Sequence, residues 1–381
     1  MNAMTIDVPL SSEKPEWKHL FHEVLEPEKC TGCAACVVAC PHDVLDYTHL
    51  DDGYVPFNIE NPSLPDHCSH GEKGCTACTR ACPRFRDWEM DADAHLFGKV
   101  RTDYEVYGQY DSICLTQATD DTIAELGQDG GLVSAMLIYA LEKGLIDGAL
   151  VSSADKDWVA QPTLATTREE VLSTAGSRYT YSANTLAYNL AKEQGLEKLA
   201  LVGMGCQASV PAIMAARKAG KVARRLELTI GLLCSKTFTD AIFDDLIKAK
   251  YGIDRKDIIK FNIKGRFHIW ATGDRYVEIP LKECHEFTRP GCKQCPDFAA
   301  EHADISTGGI VNHPGWTLTI VRTARGKELL TSMIDEGWVR TKPIEEDPGA
   351  MDLLIRLSTK QRARWTEKTG PGMLPDIASK D

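Results

Sequence analysis

The chain has 381 residues, 43% of them apolar, and its 43 basic and 55 acidic side chains leave a formal net charge of −12. That length supports two or three domains with buried cores, and the acidic balance argues against a nucleic-acid partner, which would want a basic face. No apolar run approaches the roughly 18 residues of a membrane helix, and the start has no apolar signal segment; a cytoplasmic protein is expected, peripheral to a membrane at most through a partner complex.

The first informative stretch is Cys30, Cys33, Cys36, Cys40 and Pro41, which follow C-x2-C-x2-C-x3-C-P. The chain carries 14 cysteines in all. In a reducing compartment, and in a chain this long, cysteines serve better as ligands than as bridges. A second run keeps Cys75, Cys78, Cys82 and Pro83 but sets its first cysteine back to Cys68. Paired runs of this kind exchange their fourth ligands between two iron–sulfur clusters. One cluster is therefore expected on Cys30, Cys33, Cys36 and Cys82, and the other on Cys68, Cys75, Cys78 and Cys40. Zinc is the alternative, because C-x2-C pairs also build zinc ribbons, although two x3-C-P endings are unusual for them. The expected organisation is a small α+β ferredoxin-like domain over 1–95, a large domain over 96–345 and a helical tail over 346–381. The charged stretch 83–103 reads as a linker.

Beyond it the pattern changes. Residues 104–119 read as a strand region, and 130–144 show helical apolar spacing with Gly144 as the stop. Short branched runs at 147–153, 198–204 and 226–234 read as buried strands, alternating with helical stretches at 184–195, 210–220 and 239–252. Such alternation predicts an α/β domain with a mixed, largely parallel sheet. The run Gly203–Ala208 lacks the third glycine of a dinucleotide fingerprint, so a nicotinamide site is not expected.

Cys206 and Cys234 each end a predicted strand, where open α/β sheets place ligands. Cys292 and Cys295 add a C-x2-C pair. On spacing alone these four are either a third cluster or buried core cysteines. Cys284 is close enough in sequence to compete as a ligand, and Cys114, in mid-strand, reads as core.

The segments LGQDGGLVSAMLIYALEKGLIDGALV, AGSRYTYSANT, GCQAS, GLLCSKTF, LKECHEFTRPGCKQCPDFAAEHADISTGG and GWTLTIVRT, in that order, resemble the family of β subunits of coenzyme F420-reducing hydrogenases and F420 dehydrogenases. The resemblance runs from about Tyr107 to about Arg362. With the cysteine-rich start, the chain is most similar to members with a fused two-cluster ferredoxin domain, of the type that serves as input to F420 dehydrogenase complexes. The resemblance implies a flavoprotein with non-covalent FAD, a third 4Fe–4S cluster on Cys206, Cys234, Cys292 and Cys295, and coenzyme F420 as substrate. Gly205 departs from the family's usual proline, and Cys284 from its usual residue.

F420 is a 5-deazaflavin that gives up a hydride, two electrons at once, whereas iron–sulfur cubes take one. A flavin handles both, so hydride transfer to FAD followed by single-electron exit is the expected reaction, with no protein nucleophile or base required. Expected acceptors are ferredoxin or a larger redox complex of hydrogenase, quinone-reducing dehydrogenase or disulfide reductase type. The alternatives are a ferredoxin-driven flavo-iron–sulfur reductase of a bound organic substrate and an electron-relay subunit without its own substrate. Gln128, Asp129, Gly130 and Gly131 open a helix where free N–H groups favour an anion, or else form a plain helix start capped by Asp129. Under the resemblance, Ser177, Arg178, Tyr179, Ser182 and Asn184 are flavin contacts. Lys264 and Arg266 suit an anionic coenzyme, or flank a solvated hairpin turn. Asp304, Ser306, Thr307, Gly308 and Gly309 are expected as a loop closing over the flavin. His302 and His313 receive no role.

Overall fold

The computed structural model describes residues 14–50 and 53–365. The opening residues of the first expected domain and residues 366–381 of the expected tail lie outside the described residues.

The N-terminal unit is a hairpin, β1 (Leu45–Leu50) and β2 (Gly53–Asn58), with short helices at Ala35–Ala39, Ser69–Glu72 and Ala77–Ala81. Its core is cysteine itself: Cys36, Cys68, Cys78 and Cys82 are buried together with Trp17, Leu20, Val24 and Phe85. So small a unit has little other apolar volume with which to exclude water.

The large unit is built on eight strands in the order β13-β3-β12-β11-β7-β6-β4-β5. They are β3 (Ser112–Ala118), β4 (Gly148–Ala154), β5 (Ala160–Ala165), β6 (Leu199–Met204), β7 (Leu226–Leu232), β11 (Ile305–Gly308), β12 (Thr317–Val321) and β13 (Val339–Pro343). The block β4-β6-β7-β11 is parallel and the outer pairings are antiparallel, so five strands (β3, β4, β6, β7, β11) run one way and three the other. Strand β6 shows why the centre must be covered on both sides. Its Ala200 and Val202 join a core with Leu132, Met136 and Leu329, while Leu199 and Leu201 join one with Val210, Met214, Ala187 and Ala191. A strand buried on both faces reads as a continuous apolar run, as this one does. A smaller antiparallel sheet, β8 (Ile258–Ile263), β9 (Arg266–Ala271) and β10 (Arg275–Pro280), carries its own core with Phe238, Phe243 and Cys284.

The linker reading is overturned. Helix Trp88–Phe97 occupies the middle of that stretch, with Trp88 and Ala92 buried against Ala212 and Ile213 of helix Gly205–Ala216. Two of its three carboxylates are not solvated either: Glu89 and Asp93 are 2% and 0% exposed, and Arg101 bonds Asp93 through Nε at 2.6 Å and Nη2 at 2.7 Å. Nor is the N-terminal unit tethered loosely, since Cys33, Ala35 and Ala81 belong to the second core of the sheet. The helix Pro348–Arg362, expected at the C-terminus, docks through Ala350 and Leu354 on Leu115, Phe298 and Leu318. No helix among the described residues is long and apolar enough to cross a membrane.

Candidate functional site

The eight N-terminal cysteines gather into two groups of four. Cys30, Cys33, Cys36 and Cys82 line one small cavity with Leu20, Val24 and Arg84. Cys40, Cys68, Cys75 and Cys78 line another with Trp17, His42 and His70. Each first loop turns its backbone N–H groups to sulfur: Gly32 N donates to the Cys30 Sγ and Gly71 N to the Cys68 Sγ, both at 3.4 Å. Gly32 (φ 73°) and Ala34 (φ 58°) lie in the left-handed region that makes the first loop tight enough for this.

The third set comes from three places in the sheet unit. Cys206 lies in the first turn of the helix after β6, Cys234 follows β7, and Cys292 and Cys295 belong to the segment around helix Pro290–Lys293. Beyond burial, Cys295 and Cys292 raise the Cys206 thiol, and Cys292, Cys206 and Cys295 raise that of Cys234. Tyr181 OH stands 3.8 Å from the Cys206 Sγ and Thr237 Oγ1 3.5 Å from the Cys292 Sγ. Cys284 is not part of this set. It packs in the core of the small sheet with its thiol toward the Pro280 carbonyl at 3.9 Å, and burial pushes it up to about 11. Cys114, on β3, has its thiol 3.5 Å from the Thr116 hydroxyl.

Burial pushes the thiols of Cys78, Cys82 and Cys206 up to about 12 and raises those of Cys30, Cys33, Cys36, Cys68, Cys234 and Cys295. Metal binding would have to supply the free energy to deprotonate them, since the thiolate is the ligand. Zinc would hold its ligands at about 2.0–2.3 Å; among the described residues no three His, Cys, Asp or Glu donors stand as a ready-made site for a metal ion.

The expected flavin residues divide into two groups. Gln128, Asp129, Ser177, Tyr179 and Lys264 meet in one place. Gln128 Oε1 accepts from the Ser177 N–H at 3.2 Å, Tyr179 OH accepts from the Ile263 N–H at 3.0 Å, and Lys264 Nζ pairs with Asp129 Oδ1 at 3.2 Å. Tyr179 holds φ 61°, a strained value for an aromatic residue. Beside it, Arg178 donates to the carbonyls of Ala175 and Gly176, and its Nε is buried without a partner. Asp129 does not cap the following helix, whose N-cap is Gly131 with no side-chain bond. Gly130 and Gly131 are required by their own chain: with φ 71° and 70°, a Cβ would meet the Gly315 and Ile123 carbonyl oxygens at 2.3 Å.

The other expected residues are engaged internally. Ser182 donates to Asn184 Oδ1 at 2.7 Å, and Asn184 Nδ2 to the Val202 carbonyl at 2.7 Å. Residues 305–308 form strand β11 rather than a loop, a correction whose cause is their pairing with both β7 and β12. Ser306 there is fully buried and accepts from Arg322 Nε at 2.7 Å, and Thr307 Oγ1 faces the Gly231 carbonyl at 3.4 Å. Only the end of that strand reaches the polar cluster, since a Cβ on Gly309 would fall 1.9 Å from Asp129 Oδ2. Arg266 lies across the hairpin and pairs with Glu278 at 3.1 Å. His302, given no role, is 3% exposed and bonded to Ser209 and Asp93 at 3.0 Å.

Two residues missed in the sequence stand at the seam between the units. Arg84 follows Cys82–Pro83, and Arg289 precedes Pro290–Gly291–Cys292. Arg84 Nη2 donates to the Cys295 Sγ at 3.2 Å, and Arg289 Nη1 to the Thr31 carbonyl at 3.0 Å, its guanidinium 3.8 Å from the centre of the Tyr181 ring. Gly291 fits only because it has no side chain: a Cβ would fall 2.1 Å from the Cys30 carbonyl. The available signal was a cation immediately beside a Cys–Pro or Pro–Gly–Cys turn.

Thiol sets around two cavities and a third at the C-terminal edge of a parallel strand block define an iron–sulfur protein of the electron-transfer class. Comparison with known proteins gives the family. Residues 113–188 and 196–347 match the N-terminal and C-terminal models of the coenzyme F420 hydrogenase/dehydrogenase beta subunit, and residues 23–46 match a 4Fe-4S binding domain. The chain belongs to the family of F420 hydrogenase/dehydrogenase beta subunits, which are F420-linked iron–sulfur oxidoreductase components. It is 37% identical over 269 residues to the coenzyme F420 hydrogenase subunit beta of Methanothermobacter thermautotrophicus, covering 68% of this chain and 94% of that one. It is 32% identical to the coenzyme F420-dependent sulfite reductase of Methanocaldococcus jannaschii, over 87% of this chain but only 50% of that protein. It is 27% identical to one of the F(420)H(2) dehydrogenase subunits of Methanosarcina mazei, over 86% and 87% of the two chains. The fold superposes on a chain of the F420-reducing [NiFe] hydrogenase complex from Methanosarcina barkeri with a TM-score of 0.64 at 31% identity, covering 67% of this chain and 90% of that one.

Proposed function

We propose that this chain oxidises reduced coenzyme F420 by hydride transfer to FAD and passes single electrons through three 4Fe–4S clusters to ferredoxin or a larger redox complex, reversibly. The FAD supplies the conversion between two-electron and one-electron chemistry. One observation carries the reading. The Cys206, Cys234, Cys292 and Cys295 set lies between the polar cluster and the N-terminal unit, so the three parts form a continuous path. On one side the Phe238 N–H, four residues after Cys234, donates to the Tyr179 carbonyl at 2.9 Å. On the other, Arg84 links Cys295 to the cavity of Cys30, Cys33, Cys36 and Cys82.

The clusters would sit on the two crossed sets and on this third set. The polar cluster fits a flavin dinucleotide through Arg178, a partly buried guanidinium that has no carboxylate partner among the described residues. An anion such as a pyrophosphate satisfies its orphan Nε. Gln128, Ser177 and Tyr179 fix the loop around it, and Lys264 and Asp129 stand at its rim. No side chain has to act as base or nucleophile, so the protein's work is orientation. Residues 1–87 then form the exit unit, with the boundary moved from 95 because helix Trp88–Phe97 belongs to the sheet unit. Residues 88–345 carry the coenzyme site, and the C-terminal helix braces it. Relatives named as hydrogenase and dehydrogenase subunits support a multi-subunit redox complex as the partner.

The test is anaerobic reduction of the loaded chain. Reduced F420 is expected to bleach the bound flavin and bring up cluster EPR signals, while NADH and NADPH do so slowly or not at all. Fast reduction by NADH removes F420 from the reaction.

A further inference from the structure

Arg84 is buried, charged and without a carboxylate in ion-pair contact among the described residues. It is 3% exposed, its guanidinium lies 4.5 Å from the centre of the Trp88 ring, and its Nε has no hydrogen-bond partner. Nη1 donates to the carbonyl of Pro83, next in sequence. Nη2 reaches across the seam to the Cys295 Sγ at 3.2 Å, while the side chain also lines the cavity of Cys30, Cys33, Cys36 and Cys82. An isolated buried cation is costly and persists only where an anion compensates it. Its one ionisable hydrogen-bond partner among the described residues is the Cys295 thiol of one set, and the cavity it lines belongs to the other.

We propose that Arg84 is the shared counter-charge of two iron–sulfur clusters, one on Cys30, Cys33, Cys36 and Cys82 and one on Cys206, Cys234, Cys292 and Cys295, and that it holds both reduction potentials up so that an electron crosses the seam between them. The inference rests on the cluster reading above. In the crossing, one electron leaves the sheet-unit cluster, which is oxidised by one, and enters the neighbouring cluster, which is reduced by one; no bond is made or broken and no proton moves. A fixed positive charge favours the more negative, reduced state of a cluster, and an N–H donor to a ligating sulfur does the same. Arg84 supplies the charge to both sets and the donor to one. The surrounding contacts hold the seam shut around it. Arg217 donates to the Phe85 carbonyl at 2.9 Å and pairs with Asp91 at 2.6 Å, Arg80 donates to the Lys218 carbonyl at 2.9 Å, and Gln294 donates to the Pro27 carbonyl at 2.8 Å.

The set on Cys40, Cys68, Cys75 and Cys78 provides an internal control, because Arg84 does not line its cavity. EPR-monitored potentiometry of the full, cluster-loaded chain is compared for the parent, Arg84→Gln and Arg84→Lys, with iron content measured in each. Arg84→Gln is expected to make the two seam clusters harder to reduce by at least tenfold, about 59 mV for a one-electron couple, and to leave the signal of the Cys40, Cys68, Cys75 and Cys78 set in place. Arg84→Lys keeps the charge but loses the planar fork. It is expected to hold the potential of the Cys30 set and to lower that of the Cys206 set, whose sulfur has lost its donor. If Arg84→Gln does not load, that split in Arg84→Lys decides. Intact clusters with unshifted potentials, or with all three shifted alike, overturn the proposal; a parent chain that binds no iron overturns the cluster reading instead.

Discussion

Arg101→Met tests whether the stretch after the cysteine unit is structural. Arg101 has a side-chain exposure of 2%, pairs with Asp93 at 2.6 Å and Glu89 at 3.3 Å, and also with Glu301. Arg362 shares Glu89 at 3.1 Å and Glu301 as well. Arg322 and the buried Asp297 carboxylate lie beside them, so Arg101 belongs to an interior network of both signs. Methionine keeps roughly the volume and removes the charge, which leaves one carboxylate uncompensated. Breaking such a buried pair from one side costs about 3–5 kcal/mol, a large share of the roughly 5–15 kcal/mol that holds a domain folded. The control is Arg225→Met, because Arg225 pairs with a Glu197 that is 65% exposed, at 2.6 Å; exposed pairs contribute about 0–1 kcal/mol. Thermal midpoints of the loaded chain at one scan rate compare the two, since irreversible unfolding makes the midpoint rate-dependent. The pH dependence supplies a second readout. Burial pushes the Asp93 carboxyl up, but hydrogen bonds from Arg101 and His302 outweigh it and hold it well below the usual range. A depressed carboxyl stabilises the fold above its unfolded value of about 3.9 and loses that contribution as pH falls toward the folded value. The parent is therefore expected to weaken more steeply below about pH 4 than Arg101→Met does. A midpoint for Arg101→Met equal to that of Arg225→Met would refute the reasoning.

Three clusters of four irons predict about twelve irons in anaerobically loaded chain; Cys36→Ser and Cys292→Ser are each expected to lose one cluster's signal, which iron analysis with EPR checks. Cys284→Ala is expected to keep all the iron, because its thiol packs away from the Cys292 pair; loss of four irons would make it a ligand. Lys264→Ala strips the cation from an Asp129 whose carboxyl burial already raises, so flavin retention or coenzyme binding should fall several-fold. Arg266→Ala removes only a half-exposed pair and should change binding by less than about 1 kcal/mol, both read by fluorescence titration.

Where a property depended on local pattern, the sequence carried it. The alternation of 199 and 201 against 200 and 202 is hidden within one apolar run, yet the run itself marked β6 as central. The cysteine spacing groups Cys40 with the second run and Cys82 with the first, and the two cavities are lined in the same grouping. Residues 83–103 failed for the opposite reason. Charge in a helical stretch normally means solvent, and nothing local announces that Glu89 and Asp93 find Arg362 and Arg101 in the interior. The segment 304–309 failed similarly: small polar residues read as a loop, but Ile305–Gly308 pair with β12 and β7, and Thr307 meets Gly231 from a distant part of the chain.

The seam combines both cases and changes what the cysteine unit is for. Its thiols were legible, its docking on the sheet unit was not. Cys33, Ala35 and Ala81 complete the apolar cover over Leu199 and Leu201, and Thr185 Oγ1 bonds the Cys33 carbonyl. Remove the unit and that face of the central strands is open to water, at about 25 cal/mol for each Å² of apolar surface exposed. A cut near Lys99 would also take Glu89 and Asp93 from Arg101 and Arg362. Loss of electron delivery after such a cut would therefore not by itself place the N-terminal clusters on the path, because the sheet unit would be damaged too. Single substitutions at Cys36 or Cys78, which leave the seam covered, separate relay from support. A chain that keeps its fold and its flavin reduction but no longer passes electrons to a protein acceptor would locate the exit in the thiols themselves.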